Sequence, residues 1–138
     1  MKKLFRCMLI TGCKNDKWPS FRLVNKVISI YARTHGYNKD GYIITGASRE
    51  VEKKVVRACK LNKVRVLIVP ANFEMLTGNS AEQLRNDDVL HTFKPESVVV
   101  FIDGEKLANL DEYKDSVIAH LIKVARRAKL DVVEECKK

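Results

Sequence analysis

The sequence predicts an α/β protein. The expected architecture is a three-layer sandwich of Rossmann-like type, with a central, mainly parallel sheet of about five strands and helices on both faces. Three observations predict it. Short β-branched runs alternate with longer stretches of helical periodicity. Short connections join them, and strands separated by a helix pair in parallel through right-handed crossovers. The strand candidates are apolar on both faces, as a doubly covered sheet requires. With 138 residues, no linker and no internal repeat, the chain reads as one domain over 1–138.

Leu4–Thr11 (LFRCMLIT) is the first strand. Phe21–Thr34 is an amphipathic helix, because Phe21, Val24, Val27, Ile28, Ile30 and Tyr31 recur at helical spacing. Tyr42–Thr45 is the second strand. Arg49–Leu61 is a helix that places Val51, Val55, Ala58 and Cys59 on one face. Val64–Val69 (VRVLIV) is the third strand, stopped by Pro70. Ser80–His91 is a helix with Ser80 and Gln83 in capping-box spacing. Ser97–Ile102 (SVVVFI) is the fourth strand, ended by Asp103-Gly104. The polar stretch Glu105–Glu112 (EKLANLDE) has room for an extra turn. Tyr113–Ala128 is the last helix, with Val117, Leu121, Val124, Ala125 and Ala128 inward, and Leu130–Val133 is a short fifth strand.

Composition is that of an ordinary globular chain, 46% apolar, with a net charge of +9. The charge is uneven. Residues 1–70 carry 16 Lys/Arg against 4 Asp/Glu, and residues 71–138 carry 10 against 13. A basic half fits an anionic partner such as a nucleotide or nucleic acid, and equally a solvated lysine-rich surface. No apolar run is long enough to span a bilayer, and the opening MKKLFRCMLITG lacks a signal-peptide core and cleavage site. The four cysteines show no CxxC or metal spacing, and the three histidines are scattered. The expectation is a cytoplasmic protein with reduced thiols, no metal site and no membrane contact.

Open parallel sheets bind ligands beyond the carboxyl ends of their strands. The residues after each strand are therefore the candidates. Strand one is followed by Gly12, Cys13 and Lys14, strand two by Gly46, Ala47, Ser48 and Arg49. Strand three leads to Asn72, Phe73 and then Gly78, and strand four to Asp103 and Gly104. A Gly turn directly before a helix suits close approach of a phosphate to backbone N–H groups, although such turns are also common without ligands. Arg49 stands out, because a cation at a helix start meets the positive end of the dipole. It either points into water or helps to hold an anion. Lys14 offers a second charge, or is a surface cation. Asp103 would bond a ribose hydroxyl or simply form an Asp-Gly turn. Phe73 and Trp18 would stack on a base or pack under a loop. Arg85 and Asn86 would reach a ligand, or Arg85 would clamp an acid such as Asp88. Glu52 would serve as general acid or base, or as a dipole-favoured first-turn acid. Neither GxGxxG nor GxxxxGK[ST] is present.

These motifs resemble the SLOG superfamily, Rossmann-like domains related to the lonely-guy nucleotide hydrolases and to the DNA-uptake protein of the DprA type. The nearest likeness is its small bacterial and phage branch, DUF2493. Gly12-Cys13-Lys14 stands where that branch has Gly-Ser-Arg. Gly46-Ala47-Ser48-Arg49-Glu50-Val51-Glu52 aligns without a gap to its Gly-Gly-Ala-Arg-Gly-Ala-Asp. Pro70-Ala71-Asn72-Phe73, Gly78-Asn79-Ser80-Ala81 and Arg85-Asn86 match its Pro-Ala-Asp-Trp, Gly-x-x-Ala and Arg-Asn segments. Phe101-Ile102-Asp103-Gly104 matches its Phe-x-Asp-Gly. Where the family begins its last helix with Gly-Thr, this chain has Val117-Ile118, and the lonely-guy Pro-Gly-Gly signature is absent.

The resemblance implies a nucleotide or nucleotide-derived ligand at the sheet edge, in a sensor, sponge or binding module, and a homo-oligomer of which a dimer is the simplest form. No other cofactor is evident. Two alternatives stay open. One is an N-glycosidic nucleotide hydrolase in which Glu52 or Glu82 supplies the carboxylate and Arg49 and Arg85 hold the phosphate. The other is DNA binding through Lys2, Lys3, Arg6, Lys53, Lys54, Arg57 and Lys60.

Overall fold

The computed structural model describes residues 6–15, 17–74, 78–105 and 110–137. Five strands form one all-parallel sheet: β1 (Arg6–Gly12), β2 (Gly41–Thr45), β3 (Arg65–Ile68), β4 (Ser97–Ile102) and β5 (Asp131–Cys136), in the order β3-β2-β1-β4-β5. Leu9 lies opposite Ile44 on one side and Val98 on the other, which fixes the register at the centre of the sheet. The helices are α1 (Phe21–His35), α2 (Tyr37–Asp40), α3 (Glu50–Leu61), α4 (Gly78–Phe93) and α5 (Ser116–Arg127).

The alternation of strand side chains builds the two cores. Met8, Ile10, Ile43, Val99 and Phe101 point to one face and pack with Val24, Ile28, Val51 and Val55 of α1 and α3. Cys7, Leu9, Ile44, Val98 and Val100 point to the other and pack with Val89 of α4 and Ile118, Leu121 and Ile122 of α5. Strand β4 is buried along its whole length, which its uninterrupted SVVVFI run requires. Each such Val, Ile or Phe contributes roughly 1.5–3 kcal/mol by leaving water. The α/β sandwich with helices on both faces is thus the architecture that the alternation of patterns predicts.

Local chemistry sets the helix ends. The Ser20 hydroxyl accepts from Leu23 N at 3.2 Å to start α1, and Gly36 ends it in the left-handed region at φ 73°. Asp115 starts α5 by accepting from Ile118 N at 3.4 Å. This cap places the last helix three residues later than the expected Tyr113, and a single 3-10 turn, Leu110–Glu112, precedes it. Gly78 and Asn79 belong to α4, not to a loop before it. The short α2 was not anticipated; it follows from Gly36 turning the chain so that Tyr37 is buried against Gly41. Strand β5 runs three residues beyond Val133, because its ladder with β4 continues to Ile102 and Cys136. Leu4 and Phe5, expected in the first strand, lie outside the described residues. Strand β3 departs from the doubly covered expectation, since Leu67 and Ile68 are 38% and 43% exposed at the edge of the sheet.

Candidate functional site

The strand order reverses direction between β1 and β4, so their loops diverge there and leave a crevice at the carboxyl edge. A layer of buried ionic side chains forms its floor. Arg49 is the N-cap of α3 and is 4% exposed. Its Nε donates to Glu82 Oε2 at 2.7 Å and its Nη2 to Glu82 Oε1 at 3.2 Å. Its Nη1 donates to Gly12 O at 2.9 Å and to Asp115 Oδ2 at 2.6 Å, and Nη2 also reaches Asp115 Oδ1 at 3.3 Å. Both carboxylates are on the chain itself, so all five N–H groups of Arg49 are taken. The anion that makes a cation tolerable at this helix start is therefore internal. Burial pushes the guanidinium pKa down, but the bonds to Glu82 and Asp115 more than offset this, and the charge is held firmly.

Glu52 forms the second half of the floor. It is 0% exposed. Its Oε1 accepts from Ser48 N and Arg49 N, each at 3.1 Å, which is the reaching-back half of a capping box. Its Oε2 accepts from Thr11 Oγ1 at 2.8 Å and Arg85 Nη2 at 3.0 Å. Burial pushes the Glu52 carboxyl up, but Arg85 and the donors from Arg49, Thr11 and Ser48 outweigh it and hold it below the usual carboxylate range. Arg85 also donates to Val69 O at 2.9 Å and Asn86 Oδ1 at 2.7 Å. Its acid is Glu52 and not Asp88.

The glycines have packing reasons for being small. A Cβ on Gly46 would overlap Arg85 Nη1 and come within 2.6 Å of Glu52 Oε1. One on Gly12 would meet Phe101 Cβ at 2.8 Å, on the paired residue of β4.

Two open clefts lie above this floor. One, of about 310 Å³, is bounded by Lys14, Asn15, Ser48, Arg49, Glu50, Phe73 and Glu82. The other, of about 330 Å³, is bounded by Cys13, Lys14, Asn79, Lys114, Asp115 and Ser116. Lys14 is common to both. Its side chain is 63% exposed, and its Nζ stands 3.9 Å from Glu82 Oε1. Asn79 Nδ2 donates to Ser116 Oγ at 3.1 Å, so the N-termini of α4 and α5 meet beside the second cleft. Around the floor, Lys14, Arg49 and Arg85 balance Glu52, Glu82 and Asp115, so fixed charge there sums to zero.

Of the candidates read from the sequence, Cys13, Lys14, Ser48, Arg49 and Phe73 line these clefts. Cys13 is buried, and burial first of all keeps its pKa raised, so it is a thiol. Glu52, Arg85 and Asn86 lie beneath, in the floor. Asp103 accepts from Asn15 Nδ2 and sits 3.7 Å from Lys137 Nζ, lining neither cleft. Gly104 holds φ 142°, a turn conformation with open space around it. Ala47 and Asn72 are exposed, and Gly78 opens α4. Trp18 packs edge-on against Phe101 with ring centres 6.3 Å apart.

Of the basic residues proposed for DNA, Lys53, Lys54, Arg57 and Lys60 share α3, away from Arg6. Arg6 stacks over Tyr37 at the opposite end of β1, Lys53 pairs with Glu50, Lys54 donates to Pro19 O and Arg57 lies over Phe21. Lys60 is exposed, and Lys2 and Lys3 lie outside the described residues. Sequence reasoning missed Asp115, Lys114 and Ser116. The signal was an Asp just before an apolar helical run, an N-cap pattern hidden by starting that helix at Tyr113.

Among the described residues no group of three or more His, Cys, Asp or Glu is placed to hold a metal ion. No described helix is long and apolar enough to cross a membrane. No protein-family model matches the chain, and no curated protein matches it.

Proposed function

We propose that the chain binds a nucleotide or nucleotide-derived small molecule across the two clefts. The observation that carries this reading is their junction at Lys14 above a charge-balanced, buried floor at the point where strand order reverses. The phosphate lies between Lys14 and Lys114, facing the N-termini of α4 and α5. Sugar hydroxyls donate to the carboxylates of Glu82 and Asp115, and the base rests on Phe73, which is 48% exposed. Arg49 and Arg85 hold the floor rigid and do not touch the ligand. The motif likeness to the SLOG superfamily supports the same ligand class, in a cytoplasmic binding module or sensor.

Binding is favoured over catalysis because Glu52, the carboxylate first considered for acid–base work, lines neither cleft and already accepts from Thr11, Ser48, Arg49 and Arg85. Glycosidic hydrolysis is the second reading. It rests on Glu82, whose carboxylate does face a cleft.

The test is a thermal-shift and calorimetric screen of nucleoside mono-, di- and cyclic phosphates and ADP-ribose-type compounds. A ligand at a hundred times its Kd stabilises by about 2.7 kcal/mol, a rise of several degrees in Tm. The rise is expected to fall by half or more in Lys14→Ala and to shrink in Phe73→Ala. No shift with any compound at millimolar concentration would reject the reading, and release of free base would move it to the hydrolase.

A further inference from the structure

The net charge of the chain is confined to one stretch. Residues 17–65 hold twelve Lys/Arg against three Asp/Glu, which accounts for the whole +9, and the remaining residues balance at fourteen of each. That stretch builds the layer of α1 and α3. Helix α1 contains no acidic residue. Val24, Val27, Ile28 and Ala32 turn it inward, and Arg22, Lys26 and Arg33 are exposed along its other side. Helix α3 repeats the arrangement, with Val51, Val55 and Ala58 inward and Lys53, Arg57 and Lys60 exposed. Helical periodicity thus lines up three cations on each helix.

The two ridges lie side by side. Both helices pack on the same face of the sheet. Asn62 Nδ2 donates across to Asn25 Oδ1 at 2.8 Å, and the Arg57 guanidinium lies 4.0 Å over the Phe21 ring. Packed helices run about 8–10 Å apart, and Arg22 to Arg33 covers about 16 Å of axis. The acids of these two helices are Glu52, which is buried, and Glu50, which meets Lys53 Nζ at 3.1 Å. An exposed pair of that kind is weak and gives way to a stronger anion. The opposite layer is mixed in sign: on α5, Lys123 pairs with Asp111, Arg126 with Glu134, and His120 with Asp87.

We propose that the α1–α3 face docks on the phosphate backbone of a nucleic-acid duplex without reading its sequence. A basic surface segregated on one side of a domain is the electrostatic footprint of such a partner. A protein partner calls for an apolar centre poor in lysine, and these ridges carry charge instead. The apolar sides of both helices belong to the core, so neither is left to enter a lipid surface. A single strand needs exposed rings on which to stack, but Phe21 lies under Arg57 and Trp18 packs against Phe101. A duplex carries one charge per about 1.7 Å of axis, so about 16 Å of it presents roughly ten phosphates to the six cations. Helix α1, absent from the basic residues singled out in the sequence, supplies half of this face, and Arg6 supplies none of it. None of the six lines either nucleotide cleft, so the proposal stands independently of those clefts.

Fluorescence anisotropy tests it, with a labelled DNA duplex of about 20 base pairs, or two turns, the matching RNA duplex, and the single strand. The duplex should bind with the same Kd when its sequence is scrambled. With six contacts, affinity should fall roughly a thousandfold between about 50 and 200 mM salt. Lys26→Ala/Lys60→Ala should lower the slope of log K against log salt by about two, with Tm little changed because Ala suits an exposed helix position. Lys123→Ala/Arg127→Ala removes the same charge from α5 on the opposite layer and should leave the slope where it was. Failure of both duplexes to bind at about 50 mM salt, tighter binding of the single strand, or equal losses in the two variant pairs would overturn the proposal. So would stronger binding to polyglutamate or to phosphatidylserine vesicles than to either duplex.

Discussion

Arg49 at the N-cap of α3 grips both carboxylate oxygens of Glu82 on α4, at 2.7 and 3.2 Å, although the two helices pack on opposite faces of the sheet. The guanidinium passes around the carboxyl edge and ties the two layers together. It also reaches Asp115 at the start of α5. Removing it would leave two carboxylates of low exposure with only Lys14, 3.9 Å from Glu82 Oε1, as a neighbouring ion-pair partner. Arg49→Ala is therefore expected to lose about 3–5 kcal/mol, the usual result of breaking a buried pair from one side. Arg49→Lys should recover little, because an ammonium cannot serve two carboxylates and a carbonyl in a planar fork. Urea unfolding measures both, and a loss under about 1 kcal/mol would show that the grip is not made in solution.

Gly46 lies over the Glu52–Arg85 pair with no room for a methyl group. Gly46→Ala should push the two side chains apart and cost about 3 kcal/mol, close to the loss expected on removing Arg85. In the double variant Gly46→Ala/Arg85→Ala the two losses should fall well short of adding, because both act through one contact. Full additivity in a double-mutant cycle would place the cost of the alanine elsewhere.

The fold was legible because its signals are local. The SVVVFI run can only be a covered strand, and Val24, Val27 and Ile28 mark a helix face without reference to the rest of the chain. Helix α4 was harder to read, since its buried side includes Glu82, Arg85 and Asn86 as well as Ala81 and Val89. Those polar residues are inward because of partners on other elements. Arg49 was visible as an anomaly at a helix start, but its answer lay 33 and 66 residues away in Glu82 and Asp115. Spacing along a chain carries no information about such pairs. The glycines carry a related ambiguity: Gly12 and Gly46 stand against Phe101 and Arg85, contacts that a turn pattern cannot distinguish from room for a phosphate.

Acid should weaken the fold partly through Glu52. Burial raises its pKa, but Arg85 and the surrounding donors lower it further, so the folded value lies below the unfolded one. Its stabilisation is then complete above the unfolded pKa of about 4.3 and is lost as pH falls through the folded value. Glu52→Gln should be less stable than the parent at pH 7, and the gap should narrow as pH falls below about 4. Unfolding free energies of the two proteins from pH 7 to pH 2 give the comparison; a constant gap would mean that Glu52 does not titrate differently in the folded state.

Lys14 should separate the phosphate from the rest of a bound nucleotide. It is the cation shared by both clefts, and its exposure lets it change without disturbing the floor. The guanidinium groups below are a poor replacement, because all five N–H groups of Arg49 are taken and Arg85 lies buried against Glu52, lining neither cleft. A charge-assisted contact of this kind is worth about 1.5–3 kcal/mol, or roughly 10- to 100-fold in Kd. Lys14→Ala should therefore weaken a nucleoside monophosphate by at least tenfold while leaving the corresponding nucleoside, and the Tm of the free protein, almost unchanged. Titration calorimetry at two salt concentrations reads all of these, since the lost contact should also flatten the salt dependence of phosphate binding. Equal weakening of nucleoside and nucleotide would place Lys14 against the sugar or base and reverse the assigned direction of the ligand.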